Sequence, residues 1–254
     1  MRKIFVIGIG AGDPEQVTIQ AIRALNEVDV FFLLDKGEAK EELVLLRREI
    51  LDRYVDGRSY RIAVAADPPR DRTADDYVGA VADWHQRRAD VYEALIRDEV
   101  PDGDTGAVLA WGDPTLYDNT IAMLNTVLAR GTVEFDFEVV PGVSSVATLT
   151  ARHRTSVNQI GKPVQITTGR RLAQGFPDGV DDVVVMLDAH NAFTGLVESG
   201  VDIYWGAYLG TPDEILISGK VSEVAEEIVT RRAEARARKG WMMDTYLLRR
   251  RTTD

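Results

Sequence analysis

At 254 residues the chain can hold one large domain or two of ordinary size, and its 45% apolar and 28% charged residues suit a soluble globular protein. A net charge of −11 argues against nucleic acid as a general partner, and no apolar run approaches the ~18 residues that a membrane span needs. The absence of cysteine excludes disulfides, thiolate zinc sites and a cysteine nucleophile, so a cytoplasmic protein with no membrane partner is expected.

In chain order, Lys3-Ile4-Phe5-Val6-Ile7 reads as a buried strand that runs into Gly8-Ile9-Gly10-Ala11-Gly12. Asp13-Pro14-Glu15-Gln16 fits a helix start, with Asp13 as cap and Val17, Ala21, Ala24, Leu25 and Val28 at helical spacing. A strand over residues 30–34 ends at Asp35; a helix over 40–54, a short strand over 61–65 and a long charged helix over 75–99 follow. Residues 106–110 form a strand that leads into Gly112-Asp113-Pro114, read as a second helix start. The strand 135–140 leads through Pro141-Gly142 to a helix at Ser144. Beyond residue 155 strands dominate: 164–168, 183–187 and 203–209, with 215–218 and 243–249 as further candidates, interrupted by helices near 192–199 and 222–238. The expected fold is α/β in two domains, 1–145 with a mostly parallel sheet and 146–254 with a mixed sheet, and an active-site cleft between them.

Three turns at strand ends therefore share one pattern. Glycine at the carboxyl end of a strand lets backbone come close to a ligand, and open α/β sheets bind ligands there. Each turn taken singly has a structural explanation; their joint occurrence points to a ligand site. Gly8, Gly10 and Gly12 approach a dinucleotide fingerprint, but Asp13 stands where its last glycine belongs and would repel a pyrophosphate. Asp35 alone keeps an NAD(P) reading open. There is no P-loop and no G-x-S-x-G elbow, and His85, His153 and His190 lack metal-ligand spacing, so no metal is expected. From residue 139 through 177 there is no acid, where the average would place about six, while Arg152, Arg154, Lys162, Arg170 and Arg171 are present. That window suggests a locally positive surface for an anionic ligand.

The order Gly8-Ile9-Gly10-Ala11-Gly12-Asp13-Pro14, Gly112-Asp113-Pro114-Thr115-Leu116-Tyr117, Pro141-Gly142-Val143-Ser144-Ser145 and Gly210-Thr211-Pro212-Asp213-Glu214 resembles the S-adenosylmethionine-dependent tetrapyrrole methylases over nearly the whole chain. The resemblance implies a homodimeric methyltransferase with S-adenosyl-L-methionine as cofactor and a polycarboxylate precorrin as substrate. It places Gly112, Asp113, Leu116, Tyr117, Ser144, Ser145, Met186, Leu187, Leu209 and Thr245 at the cofactor. Gly10, Gly12, Asp13, Asp35, Arg152 and Arg154 fall on the substrate side, with the arginines as hypothetical partners of its carboxylates. It further implies methylation of C1 of a corrin precursor with loss of an acetyl group as acetate. Methyl transfer needs alignment and exclusion of water rather than a nucleophilic side chain. Acetyl loss calls for attack of water on a carbonyl, hence a base and an oxyanion stabiliser; Asp13, Asp35, Tyr117, Asp188 and His190 are the candidates. The alternatives are another tetrapyrrole C-methyltransferase, an NAD(P)-binding oxidoreductase, and a non-catalytic ligand-binding protein of the same fold.

Overall fold

The computed structural model describes residues 1–35, 41–69 and 76–250; the side chains of Asp35, Glu41, Glu42, Tyr77 and Val78 lie outside that description. The chain divides into two compact units: Met1–Gly10 with Pro14–Val143, and Ala11–Asp13 with Ser144–Asp254.

The first unit is built on five parallel strands in the order β3-β2-β4-β1-β5: β1 (Arg2–Gly8), β2 (Val30–Asp35), β3 (Arg61–Ala66), β4 (Thr105–Ala110) and β5 (Phe135–Val140). Four helices, α1 (Ile19–Leu25), α2 (Glu41–Tyr54), α3 (Tyr77–Glu99) and α4 (Thr120–Arg130), cover it. Side chains alternate across a strand, so Ile4 and Val6 pack with Tyr92 and Ile96 of α3 and Leu124 of α4, while Phe5 and Ile7 pack with Leu25 of α1 and Ile50 and Leu51 of α2. Both faces are therefore apolar, as a parallel sheet covered by helices requires. Each such side chain contributes ~1.5–3 kcal/mol by leaving water.

The second unit carries a mixed sheet in the order β6-β7-β10-β8-β9, from β6 (Val164–Thr168), β7 (Asp182–Met186), β8 (Val201–Ala207), β9 (Ile215–Lys220) and β10 (Asp244–Arg250). Only β6 and β7 run parallel; the other neighbours are antiparallel. Helices α5 (Ser145–Arg152), α6 (Gly169–Leu172) and α7 (Val221–Lys239) accompany it, and Trp205, Tyr246, Phe193 and Ile228 fill its core. No helix among the described residues is long and apolar enough to cross a membrane.

Two helix starts differ from the sequence reading. Pro14–Gln16 is a single 3-10 turn, and α1 begins only at Ile19, where the Thr18 hydroxyl accepts the Ala21 N–H at 3.0 Å. Thr18 is thus the cap, and Asp13 is not. After β4, helix α4 starts at Thr120 rather than at Asp113, whose carboxylate accepts the Thr115 N–H and the Gly142 N–H. Residues 192–199 form a 3-10 segment in place of an α-helix.

Candidate functional site

In the first unit the three glycine turns meet. β4, β1 and β5 are adjacent, so their carboxyl ends lie side by side. Gly10 and Gly112 form a two-residue bridge, with the Gly112 N–H donating to the Gly10 carbonyl at 2.8 Å. A Cβ on Gly8 would come within 2.6 Å of the Gly142 nitrogen, and one on Gly142 would collide with the Gly112 carbonyl. These glycines are present because three backbones touch, and Gly112 also adopts φ +69°. Asp113 ties the turns together: one carboxylate oxygen accepts the Gly142 N–H at 2.9 Å, and the other accepts both the Thr115 N–H at 2.8 Å and the Thr115 hydroxyl. Burial raises the Asp113 pKa, but these donors outweigh it and hold the carboxyl below its ordinary value. Asp113 is therefore an ionised, half-buried carboxylate at the carboxyl edge of the sheet. Leu116 is half-buried, and Tyr117 is exposed with a left-handed backbone (φ +53°). Gly10 is also left-handed, at φ +85°. Asp35 ends β2, but its side chain lies outside the described residues.

In the second unit, Met186 at the end of β7 pairs with Thr245 on β10, which pairs in turn with Gly206 on β8. Leu209 packs over Gly206, so Met186, Thr245 and Leu209 gather at one end of the mixed sheet. The Thr245 hydroxyl is buried and donates to the Val185 carbonyl at 3.0 Å. Leu187 lies outside the strand in a left-handed turn with its side chain 67% exposed, so apolar surface is presented there. Ser144 caps α5 by accepting the Ala147 N–H at 3.2 Å, and Ser145 is the first helical residue.

The segment Ala11–Asp13 packs on the loop after β8. A side chain on Gly12 would strike the Leu209 carbonyl, and one on Gly210 would come within 2.7 Å of the Asp13 nitrogen. Arg152, on α5, pairs with Glu214 at 3.2 Å and reaches Asp13 at 3.9 Å; Glu214 also accepts the Gly210 N–H at 2.8 Å. The acid-free stretch of sequence is thus supplied with acids by folding: Arg152 meets Glu214 and Asp13, and Lys162 meets Asp181 at 3.4 Å. Arg154 is exposed in a left-handed conformation.

Asp188 is buried, and its carboxylate is saturated. It accepts the His190 N–H (2.9 Å), the Ala192 N–H (2.7 Å) and the Tyr246 hydroxyl (2.6 Å), and its carbonyl accepts from Arg232 (2.6 Å). Burial and the facing Asp188 carboxylate push the Tyr246 pKa well above its ordinary value. Arg232 continues to Asp244 at 2.9 Å, which also accepts the Trp205 indole N–H at 3.0 Å. This network fixes the turn that carries Leu187, while the side chain of His190 stays exposed. Arg232 and Tyr246 escaped the sequence reading because one sits in a run of charged helix and the other in an ordinary strand pattern.

A parallel sheet with glycine turns and an ionised carboxylate at its carboxyl edge defines the class: an α/β protein that binds a small molecule at its strand ends. No α-helix starts at residue 13, so the N-terminal dipole that a dinucleotide pyrophosphate needs is missing there. The sequence model of the Tetrapyrrole (Corrin/Porphyrin) Methylases matches residues 3–225. The chain belongs to this family. It is 51% identical over 250 residues to a precorrin-6A synthase [deacetylating] from Sinorhizobium sp., covering 98% of this chain and 96% of that protein. The crystal structure of a cobalamin-synthesis-related protein, CobF, from Corynebacterium diphtheriae superposes with a TM-score of 0.82 at 35% identity, covering 98% of each chain. A uroporphyrin-III C-methyltransferase of Thermus thermophilus, solved with S-adenosyl homocysteine, shares the fold with a TM-score of 0.57 at 18% identity, over 97% of this chain and 91% of that one.

Proposed function

We propose that this chain is an S-adenosylmethionine-dependent C-methyltransferase of cobalamin biosynthesis that methylates C1 of precorrin-5 and releases the acetyl group as acetate, giving precorrin-6A. The observation that carries this reading is the 51% identity, over almost the full length of both chains, to a deacetylating precorrin-6A synthase. When bound, S-adenosyl-L-methionine supplies an electrophilic methyl group on a sulfonium. An ionised Asp113 suits such a cationic ligand.

In the first unit, Gly112, Asp113, Leu116 and Tyr117 hold the cofactor, and Gly10 and Asp35 serve the substrate side. In the second unit, Ser144, Ser145, Met186, Leu187, Leu209 and Thr245 are assigned to the cofactor. Gly12, Asp13, Arg152 and Arg154 are assigned to the substrate. Methyl transfer needs these groups to align the reactants and keep water away. For acetyl loss, Asp13, Tyr117 and His190 are the groups with solvent access that can handle a proton. Asp188, saturated by three donors, positions the Leu187 turn.

This reading includes a homodimer in the cytoplasm. Ile160, Val164 and Ile166, on and before the edge strand β6, expose apolar surface that a second copy would cover. Sedimentation analysis reads that state directly. The function itself is tested by incubating the protein with methyl-labelled S-adenosylmethionine and a precorrin-5 pool, then following product mass. Methyl gain with acetate release is expected; methyl gain without it would move the chain to another methylase of the family.

A further inference from the structure

Tyr208, directly after β8 in the second unit, is a buried tyrosine in a backbone conformation that favours glycine, with φ +49°. A glycine takes that conformation without strain; a tyrosine holds it where its side chain is anchored. The ring meets Trp241 edge to face, with centroids 4.9 Å apart, and the hydroxyl donates to the Trp241 carbonyl at 2.7 Å. The Lys239 ammonium lies 5.5 Å from the Tyr208 ring centroid and 6.0 Å from that of Trp241. Lys239 also pairs with Asp213 at 2.5 Å. The end of α7 therefore holds the loop after β8 at two points, Tyr208 and Asp213.

Between those anchors the chain makes a β-turn. The Tyr208 N–H donates to the Met243 carbonyl (2.9 Å), and its carbonyl accepts the Thr211 N–H (3.0 Å) and the Thr211 hydroxyl (2.7 Å). Gly210, third in the turn, has φ +78°, as a type II turn needs, and its N–H donates to Glu214 at 2.8 Å. Leu209, second in the turn, is buried; its carbonyl lies against Gly12, and its N–H has no hydrogen-bond partner among the described residues. A buried N–H is seldom left unpaired, so one open donor in a turn whose other groups are engaged points to a ligand. We infer that Tyr208, backed by Trp241 and Lys239, is a positioning residue of the S-adenosyl site that fixes the turn presenting Leu209 to the cofactor. The inference rests on the reading of Leu209 as a cofactor contact. Tyr208 and Lys239 act through Leu209 and touch no reacting atom.

Calorimetric titration with S-adenosyl homocysteine reads the effect. Tyr208→Phe keeps the ring and removes only the hydroxyl; it should weaken binding roughly three- to tenfold, the scale of one hydrogen bond. Lys239→Met removes the ammonium, keeps most of the stem, and should weaken binding to a similar degree. Tyr208→Leu loses the ring contacts as well and should weaken it further. Titrations well below each melting temperature ensure that a loss of stability alone leaves affinity unchanged. Val183→Ala, which opens a cavity at the other end of β7 from Met186, is the control: it should lower the melting temperature and keep the parental affinity. Hydrogen exchange gives a second readout that needs no ligand. Amides of residues 209–214 should exchange faster in Tyr208→Phe and Lys239→Met, with those of β7 at the parental rate. Parental affinity in both Tyr208→Phe and Lys239→Met would overturn the inference and leave the methyltransferase reading intact. A parent protein that does not bind S-adenosyl homocysteine would refute that reading and the inference with it.

Discussion

One carboxylate, that of Asp113, cross-links the turns after β4 and β5. Asp113→Ala would leave the Gly142 and Thr115 N–H groups without their acceptor, at a cost of ~1–3 kcal/mol. We expect that loss in urea denaturation, together with an S-adenosyl homocysteine affinity at least tenfold weaker by calorimetry. A variant that keeps its affinity would remove Asp113 from the cofactor site. His153 shows the opposite titration problem. Burial pulls its pKa down, against the Trp205 carbonyl it donates to at 3.0 Å and the charge of Glu214. The unfolded state then binds the proton more tightly, so stability is complete above a pH of about 6.5 and falls as pH drops below it toward the folded pKa. Urea midpoints across that range should show this slope, and His153→Gln should flatten it.

At the scale of elements, capping and close backbone contact decide the local geometry. Ser144 is the cap of α5 as well as a proposed cofactor contact, and the two roles separate experimentally. Ser144→Ala should cost ~1 kcal/mol of stability while Ser144→Asp restores it; Ser145→Ala removes no cap and should leave thermal stability unchanged. Gly142 is constrained by space: its neighbours are the Gly112 carbonyl and the Gly8 backbone, which cannot swing aside as a side chain can. Gly142→Ala must spread β4, β1 and β5 at their ends, with a destabilisation of ~1–3 kcal/mol or more. Circular dichroism melts compare it with Gly131→Ala as a control, where a Cβ meets nothing within 4 Å and only the positive φ opposes it. Asp113 and Asp13 both looked like helix caps because each precedes a proline. Both helices proved to begin further on, at Ile19 and Thr120, and the signal at Asp13 was ambiguous because an Asp-Pro pair begins turns as well as helices.

For the whole molecule, ligand linkage gives a test that needs no precorrin. A ligand that binds only the folded state stabilises it by ~2.7 kcal/mol at a hundred times its dissociation constant. S-adenosyl homocysteine should therefore raise the melting temperature in a concentration-dependent way, and NADH should not. A shift with NADH alone would reverse the assignment.

The sequence by itself determined the order and type of nearly every element. Apolar alternation and helical spacing are local, and burial on both faces of β1 and β4 writes continuous apolar runs that need no partner to be read. It also determined the family, since the glycine turns are fixed by backbone contact and survive as short motifs. The tertiary structure decided what the charged residues do. Arg152 meets Asp13 and Glu214, Asp188 meets Tyr246, and Arg232 meets Asp244. Such pairings join positions dozens of residues apart, and a charge carries no periodic signature of its partner. Only the folded chain shows which charges answer one another.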